Sequence, residues 1–468
     1  MNNFKKLFFS ISFSEFCGRL SYYGLQALLV LYLVNHLGLS MKASYTLYGN
    51  YTALTFAYCI IGGIVADKFL TQYQSVFLGI LLTLSGNLFL LLSSTVNLLY
   101  FGVSLLIIGI GLVKPGTSCL AGMIGKDNLK IKGKIFLYFY TISSAGSILG
   151  PLLYGIGVAS GKYWVGFFSS SIILMINALL FLSSTKSFKS IEERKQPNCL
   201  LAMILLFLTG TAVYLTILNI ISIYWLFLLA LTIAILFLFF SFFKKLSIVS
   251  KAQLSIFVSL SFPLTASVIF FVMLLQVYSS VTIFIERTFN NSLFGWNIPV
   301  TWFSSIEAFL LLVITPFLTS FWRFLDLKKI NITPQNKILI GIIMTSIAFF
   351  MFSLSAYVSS LEFLFIVLAN LFLAIGELSI IPISLLLISN SAPAKYQGML
   401  MGVFYFILSF SGYLAGMLAK AAPENFSASY NYIFFFLNIA CSLLVFALLL
   451  FGLKAYLKKS TVPLKSLL

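Results

Sequence analysis

The chain has 468 residues, of which 60% are hydrophobic, 17% aromatic and only 9% charged. A mean hydropathy of +1.06 lies far outside the range of soluble domains and makes this a polytopic membrane protein. Closed barrels are excluded, because their strands alternate polar and apolar residues over about ten positions and the apolar runs here do not alternate.

A spanning helix needs roughly 20 apolar residues, and about fourteen such runs follow one another: near 8–34, 46–67, 75–95, 98–121, 135–160, 163–184, 198–219, 221–243, 254–285, 298–320, 336–357, 361–389, 396–420 and 428–453. The first is not a cleaved signal peptide, being too long, charged at Glu15 and Arg19, and without a small-residue cleavage site. Six spans (1–185) are followed by a basic loop and two featureless spans rich in Leu, Ile and Phe (186–250), then by six more (251–468). The middle pair has no Asp, Glu, Lys, Arg or His between Asn198 and Phe243, which suits a lipid-facing tether without transport chemistry. Two six-helix bundles rocking about a midplane site would form a major facilitator fold.

The net charge of +18 is distributed like that of a membrane protein and not of a nucleic-acid binder. With a cytoplasmic N-terminus, the inner loops and tails hold 23 of the 29 Lys and Arg, against four (Lys42, Lys162, Arg287, Lys420) in the outer loops. This positive-inside bias expects both termini in the cytoplasm. The two remaining bases, Arg19 and Lys114, lie inside apolar spans, as do three of only 11 acids: Glu15, Glu307 and Glu377. A charge at bilayer depth costs several kcal/mol and survives where it faces a wet cavity, pairs, or handles an ion or substrate.

These residues divide the work. Glu15 and Arg19 are four apart and share a helical face, either as a structural ion pair or, with Tyr22, Tyr23 and Gln26 extending the polar surface, as one wall of a wet cavity. Lys114 has no acid three or four residues away, so a partner must come from another helix, and Pro115 weakens the local backbone ladder. Glu377 stands between Gly376 and Pro382, which expects a broken span exposing backbone and carboxylate to a ligand. The lone His36 reads as interfacial packing, and Cys17, Cys59, Cys119, Cys199 and Cys441 as small buried hydrophobes without ligand spacing. Asp67 and Lys68 resemble a facilitator loop between the second and third spans, although Leu70 to Gln74 lacks its usual basic ending. No P-loop, H-E-x-x-H or Ser-His-Asp set is visible, so direct ATP drive and a membrane-embedded enzyme are both disfavoured, and no cofactor or metal is expected.

The run EFCGRLSYYGLQALLVLYL, Glu15 to Leu33, resembles the first helix of the proton-dependent oligopeptide transporters, whose pattern is E-x-x-E-R-F-x-Y-Y-G. The likeness continues through residues 45–67 with a G-G-x-x-A-D ending, GIGLVKP (109–115), FYTISSAGSILGPLL (139–153), IPVTWFSSIEAF (298–309), GELSIIP (376–382) and APAKYQGMLMG (392–402). Two inserted helices are typical of bacterial members. The resemblance implies that Glu377 receives a peptide ammonium, that Arg19 and Lys114 receive its carboxylate, and that Tyr22, Tyr23, Ser144 and Gln276 line the same site. Those residue types fit: a guanidinium is bidentate and a lysine is a point charge.

The departures fall on functional positions. Gly18 replaces the second glutamate, Leu275 the acid before Gln276, Ser144 the fifth-helix Asn, Phe56 the second-helix Tyr, and Glu307 the eighth-helix Asn. Two family carboxylates are thus missing and one is new. The expected protein is a secondary transporter importing di- and tripeptides by alternating access with proton symport, acting as a monomer in the lipid bilayer. Its alternative is a divergent facilitator or antiporter of another small solute. Proton coupling is expected at Glu15 or Glu307, with Glu307 pairing across the bundles with Lys114 or Arg19, and Asp67 and Lys68 as a gating loop.

Overall fold

A computed structural model describes residues 2–460, except 94, 125–128, 189–197, 221–250, 290–291, 294–295, 331, 392–396 and 424–428. The first half is built from α1 (Asn2–Leu31), α2 (Met41–Ile64), α3 (Gln72–Leu91), α4 (Val96–Ile124), α5 (Leu129–Gly155) and α6 (Trp164–Ser183). Single π-helical turns, Tyr32–His36 and Val65–Phe69, extend α1 and α2. The short α7 (Thr185–Phe188) and α8 (Cys199–Ile217) follow. The second half holds α9 (Lys251–Leu274), a 3₁₀ turn at Leu275–Tyr278, α10 (Ser280–Thr288), α11 (Phe303–Leu327), α12 (Pro334–Tyr357), α13 (Glu362–Ser391), α14 (Gln397–Ala419) and α15 (Ser429–Ser460). Between α10 and α11 the two-residue strands β1 (Ser292–Leu293) and β2 (Trp296–Asn297) pair antiparallel, Ser292 opposite Asn297. Among the described residues, 11 helices are long and apolar enough to cross a bilayer; the expected span at 221–243 lies outside them.

Local chemistry sets the helix ends. The Ser40 side chain accepts from the Ala43 amide at 3.3 Å at the head of α2. Thr71 and Gln74 form a capping box on α3, and Thr333 caps α12 ahead of Pro334 at its first turn. Each device satisfies orphan amides or fills a position where no amide donor is needed. Inside the bundle, polar side chains must find one another, because lipid offers no partner. Asn87 on α3 donates to the Phe167 carbonyl at 2.7 Å and to Ser171 at 2.9 Å on α6, and accepts from the Tyr154 hydroxyl of α5 at 2.8 Å.

Within the first half, α3 packs on α4, α1 on α5 and α2 on α4; within the second, α12 packs on α13 and α15, and α9 on α13 and α14. Gly146 lets α5 lie against α1, since a Cβ there would stand 2.4 Å from the Phe16 carbonyl oxygen. Helix α8 sits on α2 and α4, tied by Tyr58 to Thr209 at 2.7 Å and Asn50 to Asn219 at 3.2 Å. Its Leu200, Met203 and Phe207 stay exposed, as a lipid-facing helix requires.

The two halves meet chiefly through α2 with α14 and α5 with α11, and these contacts gather toward the end of the bundle where α1 terminates. Trp302 Nε1 donates to the Leu152 carbonyl at 3.0 Å, Ser305 to the Ile148 carbonyl at 2.8 Å, and the Tyr48 hydroxyl to the Leu275 carbonyl at 2.9 Å. Asn35, just past α1, donates to Glu286 of α10. Gly49 of α2 and Gly416 of α14 bring backbones together, a Cβ on either falling 2.8–3.0 Å from the Cα of the other. That end is sealed across the halves.

Candidate functional site

Glu15, Arg19, Lys114 and Glu377 all fall near the middle of their helices, and α1 sets the first pair. One helical turn apart, Glu15 and Arg19 form an ion pair, Nε to Oε1 at 3.4 Å. Glu15 is buried, and its second oxygen accepts from the Thr117 hydroxyl of α4 at 2.6 Å. Arg19 reaches the Ser144 hydroxyl on α5 at 3.4 Å and lies 5.1 Å from the centre of the Tyr140 ring. The carboxylate of Glu15 is thus fully engaged, while the guanidinium is held by weak contacts around its rim.

Lys114 lines one cavity with Glu15, Gly18, Arg19 and Tyr22. Its ammonium stands 4.5 Å from the Phe56 ring centre and 5.7 Å from that of Tyr22, a cation–π cage that holds the charge without neutralising it. Gly18 opens this cavity: a Cβ there would meet only Val113, at 3.6 Å. The Tyr22 hydroxyl is buried and finds no hydrogen-bond partner among the described residues. Pro115 does not interrupt α4, so the lysine is carried on a continuous helix.

The second half supplies the acids. Glu307, in the first turns of α11, is 5% exposed and its carboxyl makes hydrogen-bonding contact with that of Glu377 on α13. No other described residue donates to Glu307 Oε1. Tyr23 of α1 faces Arg19, Glu377 and Glu307 together, and its ring lies 6.0 Å from that of Tyr278. Arg19, from the opposite half, is near enough to Glu377 to act on its charge.

Several expectations need correction. Glu307 does not pair with Lys114 or Arg19; it faces Glu377, because α11 packs on α13 and turns that residue toward its neighbour in the same half. Glu377 does not sit in a broken span, since α13 runs unbroken from Glu362 to Ser391. Gly376 instead serves close packing, a Cβ there lying 2.8 Å from Thr345 Oγ1 and 3.1 Å from the Gly341 carbonyl. Gln276 is fully buried and spent on the fold, donating to the Val272 and Ala415 carbonyls and accepting from Ser280. Cys199 and Cys441 are exposed, unlike the buried Cys17. His36 packs against Tyr32 and Tyr163, with ring centres 4.9 and 5.5 Å away.

Three residues escaped the sequence reading: Thr117, Tyr140 and Tyr278. Spacing carried a signal for two of them, since Thr117 lies three residues after Lys114 and Tyr140 four before Ser144, each on the same helical face as a recognised residue. Tyr278 is delivered by the 3₁₀ turn that ends α9, and helical periodicity does not reach it. Asp67 and Lys68 occupy the π-helical turn after α2, both exposed, with Asp67 accepting from Gln72 at 2.8 Å.

The chain is 26% identical to dipeptide and tripeptide permease B of Photorhabdus luminescens over 438 residues, 90% of this chain and 88% of that one. It is 26% identical to dipeptide and tripeptide permease A of Proteus mirabilis over 486 residues, covering 98% and 97%. Among solved structures, that of a peptide transporter POT in complex with sulfate superposes with a TM-score of 0.82 at 22% identity, covering 97% of this chain and 96% of the other. A POT family transporter in complex with 5-aminolevulinic acid gives 0.80 at 20% identity, covering 97% and 96%. The fold is therefore that of the major facilitator transporters, and the sequence pattern described as "POT family" matches residues 73–433: this multi-pass membrane protein belongs to the POT family and is a transporter, not an enzyme.

Proposed function

We propose that this protein imports di- and tripeptides by alternating access, coupled to protons. The observation that carries the reading is the approach of Arg19 and Glu377 from opposite halves, with Lys114 in the cavity beside Arg19. A zwitterionic peptide offers one charge to each half: its ammonium to Glu377, its carboxylate to Arg19 and Lys114. Tyr22, Tyr23 and Ser144 would orient the backbone between them; Gln276, packed into α9 and α14, supports the wall. Binding at both ends draws the halves together, which is what closure around a midplane site requires.

Residues 1–185 and 251–468 act as the rocking bundles, with 186–250 as an accessory segment whose described helix, α8, turns Leu200, Met203 and Phe207 outward. With the basic loops inside, both termini lie in the cytoplasm of a bacterial inner membrane. The sealed end then faces outward and the site is reached from within. Asp67 and Lys68 lie at the cytoplasmic end, placed to latch the inner gate, and Glu15 and Glu307 are the acids available for proton traffic. The chain works as a monomer, each copy holding a complete site, although one similar structure is of tetrameric PepTSo2 (TM-score 0.79, 18% identity, covering 98% and 100%).

A second reading is favoured by the structure that holds 5-aminolevulinic acid, another molecule with an amino and a carboxyl end: the substrate is a small amino acid derivative. Uptake of labelled dipeptides and tripeptides into proteoliposomes, with and without a pH gradient acid outside, decides between them. Peptide accumulation that collapses with the gradient supports the first; uptake of 5-aminolevulinic acid with no peptide uptake supports the second.

A further inference from the structure

Glu307 is an acid where the family carries Asn. It is buried, no other described residue donates to its Oε1, and its contact is a second carboxyl, that of Glu377. A carboxylate only accepts hydrogen bonds; a carboxyl donates one when protonated. Two carboxyl groups in hydrogen-bonding contact, away from water, therefore need a proton between them, and two ionised ones at that distance repel strongly.

We propose that Glu307 and Glu377 form a carboxyl pair that holds one shared proton, and that this pair is the protein's proton site. It takes over from the two family acids replaced by Gly18 and Leu275. The charged and titratable groups facing it are Arg19 and Tyr23 from α1, Tyr140 from α5 and Tyr278 from the turn after α9. Among these described groups only Arg19 is a cation, and it is occupied by Glu15. With the proton in place the pair carries a single negative charge and Arg19 stays with Glu15. When the proton leaves, a second negative charge appears opposite Arg19, whose long 3.4 Å contact to Glu15 is the weaker hold. The guanidinium then turns to Glu377 and joins the halves, linking the proton to closure. The Glu307–Glu377 contact is a departure of this chain, since Asn cannot share a proton in this way.

This inference rests on the transport reading for its purpose but not for its test. Infrared difference spectra of the purified protein in liposomes, without substrate, read the carbonyl stretch of a protonated carboxyl. At neutral pH the wild type should show a band equivalent to one protonated carboxyl per chain, lost on alkalinisation. Glu307→Gln and Glu377→Gln should each abolish it, whereas Glu15→Gln should leave it; Glu307→Asn repeats the test should the glutamine variant fold poorly. A wild type without the band at neutral pH, or a band that survives in both pair variants, overturns the proposal. A band that behaves as expected in a protein that takes up no peptide would instead sink the substrate assignment and leave the pair standing. In the second arm, gradient-driven peptide accumulation should be lost in Glu307→Gln while counterflow of peptide persists. Undiminished accumulation in that variant overturns the pair as the coupling site.

Discussion

The two halves of the molecule hold buried acids in opposite ways. Glu15, in the first half, has each oxygen engaged, one by Arg19 and the other by Thr117. Glu307, in the second, meets another acid, and no other described residue donates to its Oε1. A paired acid also supports the scaffold, and removing it strands a buried partner. An acid facing an acid is satisfied only when a proton or another cation stands between the two. The comparison separates structure from function without reference to distance from the cavity, since both acids lie at the site.

Leucine at each position breaks the comparison most sharply, being similar in size and unable to hydrogen-bond. Glu15→Leu leaves Arg19 without its carboxylate, while the Thr117 hydroxyl falls back on the Val113 carbonyl at 2.9 Å, and should cost about 2–3 kcal/mol of stability, discounted from a fully buried pair because Arg19 keeps some exposure. Glu307→Leu leaves only Glu377 without its partner, a carboxyl that can keep a proton of its own or turn to Arg19, and should cost less, at most about 1 kcal/mol. Thermal melts of the two in the same detergent check this; equal losses would erase the distinction.

Next in size is the ammonium contact. Glu377→Gln should weaken binding of free-amino dipeptides by about 10- to 150-fold, the worth of a charged hydrogen bond of about 1.5–3 kcal/mol. N-acetylated analogues should lose much less. Affinities measured by tryptophan quenching or calorimetry settle it, and parallel losses for both ligands would remove Glu377 from ammonium recognition.

The sealed end offers a perturbation away from both acids. Gly416→Ala would place a methyl 2.7 Å from the Tyr45 carbonyl and 2.8 Å from the Gly49 Cα, a clash worth about 1–3 kcal/mol. Spin labels on α2 and α14 at that end should report longer separations, with the substrate site opened toward the opposite side of the membrane. Unchanged separations would mean that the glycine contact does not hold this conformation.

The smallest effect is expected at Lys114. Phe56→Tyr restores the family hydroxyl beside an ammonium that now rests on an aromatic face 4.5 Å away. It should alter peptide affinity by at most about tenfold, a hydrogen bond's net worth of roughly 1 kcal/mol, with no change in the carboxyl infrared band. A change in that band would couple the two cavity walls in a way the comparison denies.

Sequence alone determined the membrane class, the run of spans, and which ionisable residues sit at bilayer depth. Hydrophobic length and the cost of a buried charge act residue by residue, and need no knowledge of neighbours. It also paired Glu15 with Arg19, because a spacing of four on a helix is a local fact. Tertiary structure alone decided what Glu307 faces, that Gln276 is spent on the fold, and that α13 passes Gly376 and Pro382 without a break. Each of these depends on which helix packs alongside: α13 against α11 brings acid to acid, and α12 against Gly376 turns an apparent weak point into a close contact. Helical periodicity gives the face a residue occupies within its own helix; only the packing of the two halves says what that face meets.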